Sequence, residues 1–186
     1  YLICGGRRIG KTSLLHAVQS KLKEKPGMAV TYIDAAIFVP KNSCIPDGSE
    51  PPDPDLLVCQ IIAKDRQWTT PNSVDDFCDS AVKHLRGGHL ALLLDEWDSY
   101  IVASRSFHGN GIFPFMRALR TLAQSDTRQR IKIILSGHKQ LYFEYTLKPT
   151  TEKYYPFRNI YEPAEISQFH YPQSAELIKE GFGLMG

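Results

Sequence analysis

The chain has 186 residues, 42% of them hydrophobic and 23% charged, the balance of one soluble globular domain that buries roughly 70% of its unfolded surface without a disulfide or metal staple. Its 22 Lys+Arg against 20 Asp+Glu leave a formal charge of +2, which excludes the strong basic bias of a domain built mainly to coat nucleic acid and leaves room for a local basic patch. Cys4, Cys44, Cys59 and Cys78 form no C-x-x-C pair and have no His at zinc-ligand spacing, so no zinc framework is expected and they read as reduced, intracellular thiols.

No apolar run approaches the roughly 20 residues that span a bilayer. The opening Tyr1-Leu2-Ile3-Cys4 is neither a charged leader nor a signal core, so a cytoplasmic protein without a membrane partner is expected. The first residue is not Met and lies inside a strand-like run, and Gly181 to Gly186 follow a helical pattern with no closing element. Both ends predict a fragment of a longer protein, with residues 1–186 forming one core domain.

Residues 1–4 are apolar, Gly5-Gly6 turns, and Leu14, Leu15, Val18 and Leu22 recur at helical spacing until Pro26-Gly27: strand, glycine loop, helix. Met28 to Ala35 reads as a second short strand, rich in β-formers and ending at Asp34. Residues 40–54 concentrate Pro, Asp, Ser and Gly and predict an exposed inserted loop. Helices are expected over 54–67 and over 73–86, where Ser73 caps the second, Asp75 and Asp76 suit its positive start, and Gly87-Gly88 ends it. His89 to Leu94 is a nearly continuous apolar run, the mark of a central parallel strand covered on both faces, and it delivers Asp95-Glu96 to its carboxyl end. A helix over 111–124, a strand over 131–135 ending at Ser136-Gly137, a short helix near 140–145, a strand over 160–166 and a last helical stretch over 174–179 complete the chain. Strands alternate with helices, so the fold class is α/β, a three-layer α/β/α sandwich with a mainly parallel sheet.

Gly5-Gly6-Arg7-Arg8-Ile9-Gly10-Lys11-Thr12 fits G-x-x-x-x-G-K-[ST] between a strand and a helix, the context that gives the pattern meaning. Gly5 and Gly10 are expected to adopt backbone geometries closed to other residues, so that consecutive N–H groups face phosphate oxygens. The helix starting near Lys11 adds its positive end. The phosphate-binding segment is thus Gly5, Gly6, Arg7, Arg8, Ile9, Gly10, Lys11, Thr12 and Ser13, with Lys11 reaching the β- and γ-phosphates and Thr12 placing its hydroxyl on Mg²⁺. Asp95 would hold Mg²⁺ through its water shell, and Glu96 would polarise the water that attacks the γ-phosphate. Two acids after an apolar run also fit an ordinary strand end.

Ser136 stands where ATPases of this general kind place a polar side chain that senses the γ-phosphate or orients water; a turn-forming Ser-Gly accounts for it equally well. Trp97 reads as a packing aromatic, Asp98 as a capping acid, and His138 as a surface or packed histidine. Arg105, Arg128 and Arg158 are candidate charge-stabilising fingers that spacing does not separate. Arg117, Arg120, Arg128, Arg130 and Lys132 fit either a contact with an acidic partner or nucleic acid, or simply the wet face of a helix.

Taken together, GGRRIGKTSLL, LALLLDEWD, IKIILSGH and YYPFRNIYEPAEI resemble, in order and across nearly the whole chain, the AAA-like ATPases of the signal-transducing (STAND) group, including the archaeal-type ATPase family. The resemblance implies that the first two blocks are the Walker A and Walker B motifs, that the third leads to a sensor position, and that the fourth matches the family's Ser-Pro-Phe-x-Asn segment with Tyr155 in place of the serine. It implies ATP and Mg²⁺ as cofactors, ATP hydrolysis driving a switch in a larger protein, and fused flanking domains or protein partners, with a nucleotide-dependent oligomer as one form of that switch. Adenine contacts are not assigned. The alternatives are a nucleotide-binding interaction module that does not hydrolyse, and a DNA-dependent, transposition-type ATPase, which leaves nucleic acid undecided as a partner. A GTPase is disfavoured by the lack of an N-K-x-D motif.

Overall fold

The structure is a computed structural model that describes residues 1–6, 8–38, 52–85, 88–109, 113–125, 130–138 and 163–165. In chain order these form β1 (Leu2–Gly5), α1 (Lys11–Lys23), β2 (Met28–Asp34), a 3₁₀ turn (Ala35–Phe38), α2 (Pro54–Asp65), α3 (Val74–His84), β3 (His89–Asp95), α4 (Trp97–His108), α5 (Pro114–Ser125), β4 (Ile131–His138) and β5 (Pro163–Glu165). The strands make one sheet in the order β2-β3-β4-β1-β5, and every neighbouring pair is parallel. Arg7, most of the 40–54 loop, the helices expected near 140–145 and 174–179, and the YYPFRN segment lie outside the described residues.

Strand alternation divides the core. On one face Leu90, Leu92, Leu94, Ile131, Ile133 and Leu135 pack against α2 to α5; on the other Ala91, Leu93, Ile3 and Val30 meet Leu15, Val18 and Leu22 of α1. Leu90 to Leu94 are all buried, at about 1.5–3 kcal/mol for each buried leucine, so β3 anchors the sheet and fixes the position of the acids at its end. The arrangement is the three-layer α/β/α sandwich that the pattern predicts, with parallel strands joined by crossovers.

Helix starts follow local chemistry. Asp53 caps α2 by accepting from the Asp55 and Leu56 N–H groups, with Pro54 at the first position, and Ser73 caps α3 through Asp76 N. Helix α4 is absent from the sequence reading. Its buried residues Trp97, Tyr100, Ile101 and Ser104 do recur at i, i+3, i+4 and i+7, but the stripe ends on a serine rather than an apolar residue.

The reason a serine is buried there is a carboxylate. Asp55 is fully buried and accepts from Tyr100 Oη at 2.6 Å, Ser104 Oγ at 2.7 Å and Phe115 N at 2.7 Å. His108 Nε2 lies 3.1 Å from Asp55 and 3.2 Å from Asp53. One side chain at the start of α2 therefore ties down α4 and α5, satisfying donors that would otherwise be stranded in the core.

A second difference concerns β4. It continues through Ser136 and Gly137 to His138, because β1 pairs with it at Ile3–Ser136, Cys4–Gly137 and Gly5–His138. Ser136-Gly137 is strand rather than turn.

Candidate functional site

The carboxyl ends of β1, β3 and β4 converge. At β1, Gly5 is the last strand residue, paired with His138, so it is extended and does not take the special geometry expected of it. Gly10 does: it stands at φ 91°, ψ 13°, immediately before α1, a left-handed conformation that costs an L-residue roughly 1–2 kcal/mol. Arg8 also has a positive φ, 59°. Unlike α2 and α3, α1 starts with no side-chain cap and no acid in its first turn, which leaves its first N–H groups and positive end to an anionic ligand.

Lys11 is buried, with Nζ donating to Gly6 O at 2.8 Å and Gly5 O at 3.3 Å. The loop thus folds back over its own lysine. Among the described residues no carboxylate lies within ion-pair distance of this ammonium, so a buried cation is held by carbonyl dipoles alone. Such a charge favours an anion nearby.

Asp95, also buried, is the meeting point. Its Oδ2 accepts from Thr12 Oγ1 at 2.6 Å and from Tyr32 Oη at 3.1 Å; its Oδ1 accepts from Ser136 Oγ at 2.5 Å and from Glu96 N at 3.0 Å. Thr12, Asp95 and Ser136 are therefore brought together, though 83 residues separate Thr12 from Asp95. The sheet order does this: β4 runs between β1 and β3, so its Ser136 comes up between the loop after β1 and the acid ending β3. Thr12 and Asp95 present hard oxygen donors beside one another, a donor set that fits Mg²⁺.

Glu96 sits at φ 47°, ψ 41°, left-handed for a residue with a Cβ. The Glu96 N–H bond to Asp95 and the Ser99 N–H bond to Glu96 O, at 2.8 Å, hold that conformation, which turns the chain sharply from β3 into α4. The carboxylate remains exposed at the mouth of the site. Partial burial raises its pKa above the ordinary value; Asp98, Asp95 and Asp34 push the same way, and Lys11 opposes them. Asp98 Oδ1 accepts from His138 N at 3.2 Å, pinning α4 to the end of β4.

No protein-family model matches the sequence, and no curated protein matches it. Solved structures do match. Cdc6p from Pyrobaculum aerophilum superposes with a TM-score of 0.63 at 19% identity, covering 95% of this chain and 41% of that one. The Aeropyrum pernix ORC2 protein, in ADPNP and ADP complexes, gives 0.61 at 16%, covering 96% and 44%. A Walker-type ATPase of Pyrococcus abyssi gives 0.56 at 17%, covering 99% and 53%. The fold is that of the P-loop NTPases. At these identities the likeness is one of fold, and the chain spans about two fifths to a half of the length of these structures. No helix among the described residues is long and apolar enough to cross a membrane.

Placed in that fold, the remaining sequence candidates separate. Trp97 is buried and stacks on Tyr100 at 4.1 Å, as a packing aromatic should. Arg105 lies 5.9 Å over the Phe113 ring, whereas Arg128 and Arg158 lie outside the described residues. Arg130 donates to Leu85 O at 2.7 Å, so it is engaged in joining β4's start to the end of α3. Ser13 follows Thr12 on the exposed side of α1. Tyr32 is the site residue that sequence reasoning misses: its hydroxyl reaches Asp95 only because β2 pairs with β3 in the register Tyr32–Leu93 and Asp34–Asp95.

Proposed function

We propose that this chain is the ATP-binding and hydrolysing core of a larger P-loop ATPase, in which nucleotide state drives a conformational switch. The observation that carries the reading is the buried Asp95 carboxylate, bonded at once to Thr12 of the glycine loop and Ser136 of β4, with buried Lys11 next to Thr12 in the chain. In this reading Gly5 to Ser13 wrap the triphosphate, and Lys11 leaves the Gly5 and Gly6 carbonyls to meet the β- and γ-phosphates. Thr12 and Asp95 would hold Mg²⁺, which when bound neutralises charge on the phosphate oxygens. Glu96, exposed and adjacent, accepts a proton from the attacking water; Ser136 orients the γ-phosphate end of the site.

The nucleotide complexes named for the Aeropyrum pernix protein support the choice of ligand; flanking domains or protein partners and a nucleotide-dependent assembly belong to the same proposal. A Drosophila ORC structure that also matches, at 14% identity and a TM-score of 0.57, is bound to DNA; a DNA-dependent ATPase is the reading that salt-sensitive stimulation by DNA would favour.

Phosphate release from ATP by the parental chain and by Glu96→Gln tests the proposal. The variant should bind nucleotide as the parent does and turn over about a hundredfold more slowly or worse, the scale for losing a general base. Equal rates would remove Glu96 from the chemistry. Nucleotide binding with no phosphate release, unaltered by the substitution, would make the chain a binding module.

A further inference from the structure

The Asp95 carboxylate receives its donors from four places: α1 through Thr12, β2 through Tyr32, β4 through Ser136, and its own chain through Glu96 N. A threonine hydroxyl has one hydrogen and two lone pairs, so Thr12 can turn a lone pair to Mg²⁺ and still give Oδ2 its 2.6 Å bond. The other donor seen on Oδ2 is Tyr32 Oη, at 3.1 Å, which comes from outside the glycine loop.

The tyrosine is built to stay there. Its backbone is locked in β2, paired with β3 along the whole strand. Its ring lies against the His16 imidazole of α1 at 4.6 Å, tilted by 35°, and packs with the α1-side core of Leu15, Val30 and Leu93. A tyrosine hydroxyl is protonated near neutral pH, and this one has the carboxylate within donating distance. A ring that served packing alone would need no hydroxyl at this distance from a buried carboxylate.

We infer that Tyr32 is a positioning residue for the metal: its hydroxyl, held from β2, fixes the orientation of the Asp95 carboxylate that would face Mg²⁺ beside Thr12. The inference rests on the nucleotide reading above and adds to it a residue outside both sequence motifs. Groups that orient a metal-binding carboxylate from behind typically change metal affinity by about 10- to 100-fold when removed.

Tyr32→Phe tests it, because phenylalanine keeps the ring, the His16 contact and the packing. The first measurement is binding of a fluorescent ATP analogue in excess EDTA; the second is Mn²⁺ affinity of the complex with a non-hydrolysable ATP analogue, by electron paramagnetic resonance. The variant should bind metal-free nucleotide as the parent does while its Mn²⁺ dissociation constant rises about tenfold or more, and the Mg²⁺ concentration for half-maximal hydrolysis should move with it. Unchanged Mn²⁺ affinity would overturn the role of Tyr32 and leave the nucleotide reading standing. Loss of metal-free nucleotide binding in the variant would also overturn it, since the tyrosine would then be supporting the loop as a whole. A parental protein that binds no nucleotide, with or without metal, would overturn both.

Discussion

Replacing Lys11 with Ala removes the buried cation that the described residues place at the site. Its Nζ bonds to the carbonyls of Gly5 and Gly6 are charge-assisted, about 1.5–3 kcal/mol each, but the substitution also removes the cost of burying an ammonium, so the fold should survive their loss. The effect on nucleotide is larger. A unit charge about 4 Å from a single phosphate charge, at an effective dielectric constant of about 20, is worth about 4 kcal/mol, which is roughly a thousandfold in Kd. A surface lysine would contribute about 0.2–1 kcal/mol, and added salt would screen it. Lys11, 7% exposed, should be screened much less. Titration of a fluorescent ATP analogue at low and high salt separates the two cases, with circular dichroism melting as the check on folding. Weakening by less than about tenfold, equivalent to about 1.4 kcal/mol, would show that the ammonium does not face the phosphates and would refute the electrostatic argument.

Asp55→Ala should cost stability without touching the site. It leaves Tyr100 Oη, Ser104 Oγ and Phe115 N without their acceptor, at about 1–3 kcal/mol for each buried donor. A summed loss of about 3 kcal/mol lowers the melting temperature of a domain this size by about 6 °C or more; an unchanged midpoint would mean those donors find other acceptors. Glu96→Gln should instead raise the melting temperature near neutral pH. The folded state binds the Glu96 proton more tightly than the unfolded chain, so ionising this group costs stability as pH rises through the window between the unfolded and the raised folded pKa. The variant carries no such cost, and its advantage should vanish as pH falls below that window. Melting curves across the acidic range would show it, and a parent and variant that respond alike to pH would contradict the raised pKa.

Much of this architecture is legible in the residues because it is local. The glycine loop between β1 and α1, the apolar run of β3 and the acids after it are contiguous in sequence, and each follows from side-chain chemistry and strand or helix period. Reading fails where the cause is distant. Helix α4 hides because Ser104 interrupts its apolar stripe, and Ser104 is explained only by Asp55, on another helix. Ser136-Gly137 fits a turn until β1 pairs alongside and extends β4. Gly5 looks like the special glycine of its loop, yet Gly10 carries the left-handed angle. Tyr32 is an ordinary strand aromatic until the β2–β3 register sets it beside Asp95. Conversely, the basic residues near β4 look like a surface patch, but Arg130 is committed to the Leu85 carbonyl.

The position of β1 has a consequence for biosynthesis. Its neighbours on both edges, β4 and β5, are contributed by residues 131–138 and 163–165, so the strand that leads into the glycine loop is made before either of its partners and is enclosed only when they follow. Until the ribosome has delivered those later segments, the loop has no lattice to stiffen it, and contacts of such long sequence separation close slowly. A nascent chain therefore gains its phosphate grip late, and a nucleotide that binds the completed sheet would favour the finished product over any partly assembled form.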